Sequence, residues 1–397
     1  MKKRFRHVFV FTVMRPFFRL YAYCKFGFKA KRFKKDKGVK GPYLIISNHA
    51  MAFDPFFVSL SFKETIFYIA SDMIFSIPFV SPIIRYLVQP IPKTKYRSDT
   101  ATVKDTIRII KSGGSVGLFP EGNATFHGEL MDVPFAVAKL IRLLKVPVLF
   151  YQLRGGYQTK PRWARSVRKG KIVGSVASMW SVEDYRDLSV DQIYQEVLKR
   201  LDIKNFAYQL EHRDTYPSKE SAMDIESAYF VCPDCHSMHS IVSQGQEIYC
   251  RECNFRVVYT EHGLMKSLSK TNFFQTTYEW YLFQEKLLKN YLDSKAENDL
   301  IFEDSGEKVL KVIRARKKTR VGDSVWLKLY KNRIEFGFQD RVESWDLKSV
   351  QSAVQQKNKL ILYHRQNEIT YYCLNDPKRN ALKYVIAIEY LNTKEEN

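Results

Sequence analysis

The sequence predicts an α/β domain with a mostly parallel sheet flanked by helices, then a small cysteine-paired module and a C-terminal mainly-β module. Three observations predict it. Between residues 41 and 220, short apolar runs alternate with helix-spaced apolar residues, as in successive strand–helix–strand units. Two C-x-x-C pairs sit close together within residues 226–262. Beyond residue 300, short segments alternate apolar and polar residues in the strand period. A chain of 397 residues is too long for one ordinary core. The boundaries read as an interfacial segment 1–40, an α/β domain 41–220, a cysteine module 226–262 and a C-terminal α+β module 268–397.

The amino terminus interleaves Phe9, Phe11, Phe17, Phe18, Leu20 and Tyr21 with Arg4, Arg6, Arg15, Arg19, Lys25 and Lys29. This mixture suits interfacial helices lying among lipid headgroups, with Pro16 ending one helix and opening the next. The uncharged run 7–14 falls far short of the ~20 apolar residues that a spanning helix needs. It also lacks a small-residue cleavage site, so the protein is expected to be soluble or peripheral and not secreted.

Tyr43-Leu44-Ile45-Ile46-Ser47 reads as a buried strand, and a helix is expected from Pro55 to near Phe62. Residues 101–112 place Val103, Ile107, Ile109 and Ile110 at helical spacing, and Gly113-Gly114 stop them. A strand over 116–119, a loop, a helix over 135–144 and a strand over 146–153 follow. Ser189 and Gln192 make a capping box for a further helix. Residues 270–295 read as helical, 325–330 and 360–363 as strands, and 380–391 as a closing helix.

Apolar residues make up 45%, which excludes disorder over the whole length. The charge is lopsided: 64 Lys and Arg against 42 Asp and Glu give +22. That excess suits nucleic acid or an anionic membrane leaflet, and 28 Phe with 24 Tyr favour the membrane.

Cys232, Cys235, Cys250 and Cys253 form the two pairs, with fourteen residues between Cys235 and Cys250. Two such knuckles can gather four thiolates around one tetrahedral zinc, pointing to a structural zinc ribbon in a reducing compartment. His236 and His239 lie close enough to serve as substitute ligands. Cys24 and Cys373 read as ordinary thiols.

Ser47-Asn48-His49-Ala50-Met51-Ala52-Phe53-Asp54-Pro55 is the most informative stretch. His49 comes directly off a buried strand, and Asp54 stands where a helix N-cap would, ahead of Pro55. A loop between them would let the carboxylate fold back onto the imidazole. A neutral His so held can take a proton from an attacking hydroxyl, while the carboxylate fixes its tautomer. Phe119-Pro120-Glu121-Gly122 also follows a short strand, one helix later. In an open parallel sheet such loops share one edge, so His49, Asp54 and Glu121 are expected to converge.

The order H-x-x-x-x-D and then F-P-E-G, continuing into Val146-Pro147-Val148, resembles the glycerolipid acyltransferase family that includes lysophosphatidate (1-acylglycerol-3-phosphate) acyltransferase. The resemblance spans roughly residues 1–215. It implies acyl transfer from acyl-CoA or acyl carrier protein to a hydroxyl of a lysolipid acceptor at the membrane surface. By it, His49 is the general base, Asp54 its partner, and Glu121 and Gly122 shape the acceptor site. Lys93 stands where the family carries an arginine for the acceptor's phosphate, keeping the charge without the bidentate fork. The loop Glu121-Gly122-Asn123-Ala124-Thr125 departs from the family's E-G-T-R-S, and Arg97 is a candidate to compensate.

The expected function is therefore an O-acyltransferase on the cytoplasmic face of the cell membrane, with an anionic membrane surface as partner. Two alternatives stand beside it: a catalytically altered membrane adaptor, and a nucleic-acid-binding zinc-ribbon protein, the latter disfavoured because the basic residues concentrate beside apolar aromatics. Residues 300–397 resemble a PH-like module by pattern alone.

Overall fold

A computed structural model describes residues 2–34, 39–71, 90–93, 100–269, 274–313, 319–355, 358–374 and 380–396. The chain divides into two compact units, one of residues 1–162, 166–218 and 261–263, the other of 163–165, 219–260 and 264–397.

In the first unit, helix α1 (Lys2–Phe26) leads into β1 (Phe28–Ala30), β2 (Leu44–Ser47), α2 (Asp54–Ser61), β3 (Ile66–Ser71) and β4 (Ile91–Lys93). Then come α3 (Thr100–Lys111), β5 (Ser115–Leu118), α4 (Ala136–Leu144), β6 (Val148–Arg154), β7 (Ile172–Trp180), α5 (Val190–Leu201) and α6 (Asn205–His212). The described strands make a seven-stranded sheet in the order β1-β7-β6-β2-β5-β3-β4. Strand β2 runs parallel to β5 and β6, and β3 runs parallel to β5 and β4, while β7 is antiparallel to β6. The mostly parallel α/β domain expected from the sequence is thus present.

The core explains the unbroken apolar runs. Alternate residues of a strand face opposite ways, and this sheet is covered on both sides. Leu44 and Ile46 pack with Val116, Val148 and Phe150 against Ile110, Ile141 and Ile193 of α3, α4 and α5. Ile45 packs on the other face with Leu149, Tyr151, Phe57 of α2 and Phe26 of α1. Ser189 and Gln192 form the expected capping box at α5.

One expectation is overturned at the amino terminus. Pro16 does not separate two helices, because α1 runs through it. Proline's φ is already helical, so what must be offset is one missing donor and a steric clash, ~3 kcal/mol. Tertiary contacts on the far side of Pro16 hold the helix: Phe18 and Phe26 pack edge-on against Phe56 and Phe57, and Ala22 is fully buried. Arg15 and Arg19 donate to the carbonyls of Lys63 and Leu60, at 2.9 and 2.7 Å; Leu60 belongs to the last turn of α2, whose carbonyls lack helical partners, and Lys63 lies just beyond it.

In the second unit, β8 (Ile241–Gln244), β9 (Glu247–Cys250), β10 (Arg256–Tyr259) and β11 (Met265–Ser267) form an antiparallel sheet. Helix α7 (Thr277–Ser294) follows, stitched to the segment before the first cysteine knuckle. Trp280 Nε1 donates to Val231 O at 2.9 Å, and the Gln284 amide bonds Phe230 N and Ala228 O. Seven further strands, β12 (Phe302–Ile313), β13 (Thr319–Leu329), β14 (Arg333–Gly337), β15 (Val342–Asp346), β16 (Val350–Gln355), β17 (Lys359–His364) and β18 (Ile369–Leu374), form an antiparallel sheet ordered β15-β14-β13-β12-β18-β17-β16. Helix α8 (Ala381–Glu396) closes the unit with Ala381, Tyr384 and Ala387 fully buried.

Candidate active site

Strand register places the site. Ile46 pairs with Leu118 and Ser47 with Tyr151, so the loops after β2 and β5 leave the sheet side by side at its carboxyl-end edge. His49 is in the first loop and Glu121 in the second.

The loop between His49 and Asp54 turns the carboxylate back. Asp54 Oδ2 lies 2.8 Å from His49 Nδ1 and accepts from the amides of Ala50 and Met51 at 2.6 and 2.9 Å. Asp54 is fully buried and begins α2 with Pro55 behind it. The expected N-cap role is not observed: Phe53 precedes the helix and no side chain caps it. The carboxylate instead organises the loop before the helix, where three donors converge. A carboxylate partner on Nδ1 places the neutral ring's lone pair on Nε2. No described residue bonds that atom.

The backbone of His49 is pinned by the second loop. Its N–H donates to Glu121 Oε1 at 2.6 Å, and its carbonyl accepts from Thr125 N at 3.0 Å. The ring lies 4.7 Å from that of Phe119. Glu121 Oε2 accepts from Met131 N at 3.0 Å. Burial pushes the Glu121 carboxyl up to about 8, and the charge of Asp54 pushes the same way, against the two amide hydrogen bonds. Gly122 takes φ +70°, a left-handed conformation, with open space where a side chain would stand.

The remaining expected residues are not drawn into this knot. Lys93 is exposed at the end of β4, on the same sheet edge but with β5 and β3 between it and β2. Three strand spacings make ~14 Å. Arg97 lies outside the described residues.

Several residues outside the expected site complete the loop. Thr125 Oγ1 accepts from Gly128 N at 3.0 Å, and Glu129 caps α6 by accepting from the amides of Asn205 and Phe206 at 2.9 and 2.8 Å. Arg162 donates to Ala124 O at 3.3 Å and lies 4.0 Å over the Phe126 ring. Only the ST-turn spacing of Thr125 and Gly128 left a trace in the sequence.

In the second unit, the Sγ atoms of Cys232, Cys235, Cys250 and Cys253 lie within 4.8 Å of one another. Cys232 and Cys253 are 3.5 Å apart, and Cys235 and Cys250 3.6 Å. Four thiolates at ~2.3 Å from a tetrahedral ion would sit ~3.8 Å apart, so the cluster fits one metal. Glu252 N reaches Cys250 Sγ at 3.3 Å, the kind of amide contact that stabilises a thiolate. His236 and His239 are not in the cluster; the His236 ring lies 5.7 Å from Phe283.

Residues 29–149, which hold both motifs, match the family model described as Acyltransferase. No curated protein matches the chain by sequence. Among solved structures, the 1-acyl-sn-glycerophosphate (LPA) acyltransferase PlsC from Thermotoga maritima is similar at 20% identity. It covers 52% of this chain and 82% of its own, with a TM-score of 0.42. Sub-compartment protein 3 of the Toxoplasma gondii inner membrane complex shares 15% identity over 28% of this chain and 87% of its own, TM-score 0.20. The N-terminal PH domain of human ARAP2 shares 13% over 23% of this chain and 81% of its own, TM-score 0.19.

Proposed function

We propose that this chain, whose residues 29–149 are an acyltransferase-family domain, moves a fatty acyl group from a thioester donor, acyl-CoA or acyl carrier protein, to a hydroxyl of a lysoglycerolipid at a membrane surface. The observation that carries the reading is the His49–Asp54 contact with Nε2 left without a partner among the described residues.

His49 Nε2 takes the proton from the acceptor hydroxyl as its oxygen attacks the thioester carbonyl. Asp54 holds the tautomer and offsets the imidazolium charge. Collapse of the tetrahedral adduct forms the ester, breaks the carbon–sulfur bond, and returns the proton from Nε2 to the departing thiolate. Nothing covalent forms on the protein, so no Ser or Cys nucleophile is needed. Lys93, exposed on the same sheet edge, offers positive charge to an anionic headgroup.

The lipid surface is supported by α1. Val13, Phe17, Leu20, Tyr21 and Tyr23 are exposed on it, with Phe17 at 65% and Leu20 at 62%, among basic residues. No helix among the described residues is long and apolar enough to cross a membrane. An interfacial helix on an anionic leaflet accounts for both facts. In the second unit, Cys232, Cys235, Cys250 and Cys253 would hold a structural zinc, which ties the two knuckles together and takes no part in acyl transfer.

The test supplies labelled palmitoyl-CoA or palmitoyl carrier protein with a panel of lysolipids on anionic vesicles. Transfer by the wild type that is lost in both His49→Ala and Asp54→Asn establishes the reaction. No transfer to any acceptor, or equal transfer by the variants, rejects it.

A further inference from the structure

We infer that Glu121 is a positioning residue for His49 and not a ligand of the acceptor: its carboxyl group clamps the backbone of the His49 loop to the backbone at Met131. This rests on the catalytic reading of His49 given above, and it reverses the acceptor role that family resemblance implies for this glutamate.

The geometry carries it. Each carboxyl oxygen of Glu121 already accepts one backbone N–H through a lone pair that it keeps whether or not the group is protonated, Oε1 from His49 and Oε2 from Met131, at 2.6 and 3.0 Å. The same loop returns through Thr125 N to the His49 carbonyl at 3.0 Å. Together with the Asp54 contact on Nδ1, this engages every polar group of His49 except Nε2. A base fixed at three points has one atom left to work with, and its direction is set by the frame.

The second end of the clamp matters equally. Met131 lies two residues beyond Glu129, whose own carboxylate bonds the first two amides of α6. His49, Glu121, Glu129, Leu130 and Asn205 line one cavity. Two carboxyl groups therefore border the space beside the base, and both are engaged by main-chain donors. Glu121 connects the base-bearing loop to the segment that carries the cavity-lining Glu129 and Leu130, so loosening it moves Nε2 relative to whatever occupies the cavity. A displacement of about 1 Å at a reacting group costs roughly 10²-fold in rate.

The decisive variant is Glu121→Gln, nearly the same size, whose amide keeps one acceptor oxygen and turns an NH2 group towards the other backbone N–H. Glu121→Ala removes both acceptors. Two readouts apply to the full-length protein. In steady-state acyl transfer, kcat is expected to fall roughly 10-fold for Glu121→Gln and roughly 100-fold for Glu121→Ala. The KM for the lysolipid is expected to stay within about 3-fold. A raised KM with kcat unchanged would mean that Glu121 binds the acceptor, overturning the inference.

The second readout is amide hydrogen exchange without substrate. It is expected to quicken at both His49 and Met131 in Glu121→Gln and to stay the same in α4. Unchanged exchange at either amide removes the clamp whatever the activity. Faster exchange with unaltered kcat reduces Glu121 to a structural contact and also overturns the inference. Should the wild type acylate nothing, the proposed reaction fails by itself, while exchange still decides whether the clamp exists.

Discussion

Asp54 holds His49 by a single oxygen: Oδ2 meets Nδ1 at 2.8 Å together with two loop amides, while the buried Oδ1 has no hydrogen-bond partner among the described residues. The ring's orientation and the loop's shape therefore depend on the same atom. In Asp54→Asn, an amide oxygen at that position still accepts all three donors, but the charge that stabilises the imidazolium is gone. The variant is expected to fold and to lose about 10²–10⁴-fold in kcat. Asp54→Ala also strands the two amides, adding a stability loss of about 1–3 kcal/mol. Rate assays beside urea unfolding separate the two effects; wild-type kcat in Asp54→Asn contradicts the role of the charge.

Glu121 gives a pH signature in stability. Its ordinary carboxyl value of 4.5 is raised to about 8, first by burial. The folded protein keeps this proton where the unfolded chain has lost it. The group's contribution is full below its unfolded value and is lost as pH rises through about 8. Glu121→Gln cannot titrate, so thermal melts from about pH 5 to about pH 9 should show the variant gaining on the wild type as pH rises. A constant difference in Tm across that range would contradict the assignment.

Metal removal should act on the second unit. Structural zinc sites of this kind hold ~10–16 kcal/mol of folding free energy in small peptides, so the knuckles are not expected to survive its loss. Elemental analysis is expected to find one zinc per chain. Cys253→Ser, or a strong chelator, should abolish it and lower the Tm. A metal-free preparation with four freely reactive thiols and an unchanged melt would refute the site.

The exposed face of α1 predicts lipid affinity. Phe17→Ser with Leu20→Ser removes two large apolar side chains, each worth ~1.5–3 kcal/mol when buried. Sedimentation with anionic vesicles should weaken by at least about 10-fold, with far-UV circular dichroism unchanged because both side chains are exposed. Undiminished binding would place the membrane contact elsewhere.

Gly122 tests the loop's backbone. At φ +70° with open space around it, Gly122→Ala meets strain without collision. The expected cost is about 1–2 kcal/mol in stability, read from urea melts. A neutral result would mean that the loop shifts out of the left-handed conformation.

The local patterns were legible because their causes are local. The alternation of Ile45 and Ile46 between two buried faces, the Ser189–Gln192 capping box and the cysteine knuckles all follow from residues a few positions apart. So does the return of Asp54 onto His49, which needs a short loop and a proline after it. What the tertiary structure decided involves groups far apart in sequence. Glu121 meets His49 and Met131 because β5 lies beside β2, and a carboxylate in a motif carries no mark of which amides will reach it. Helix α1 continues through Pro16 because Phe18, Ala22 and Phe26 find a surface on α2, a gain that local propensity does not contain. The sequence by itself named the residues proposed to carry chemistry; the packing of the sheet settled which of them meet His49 and which lie apart from it.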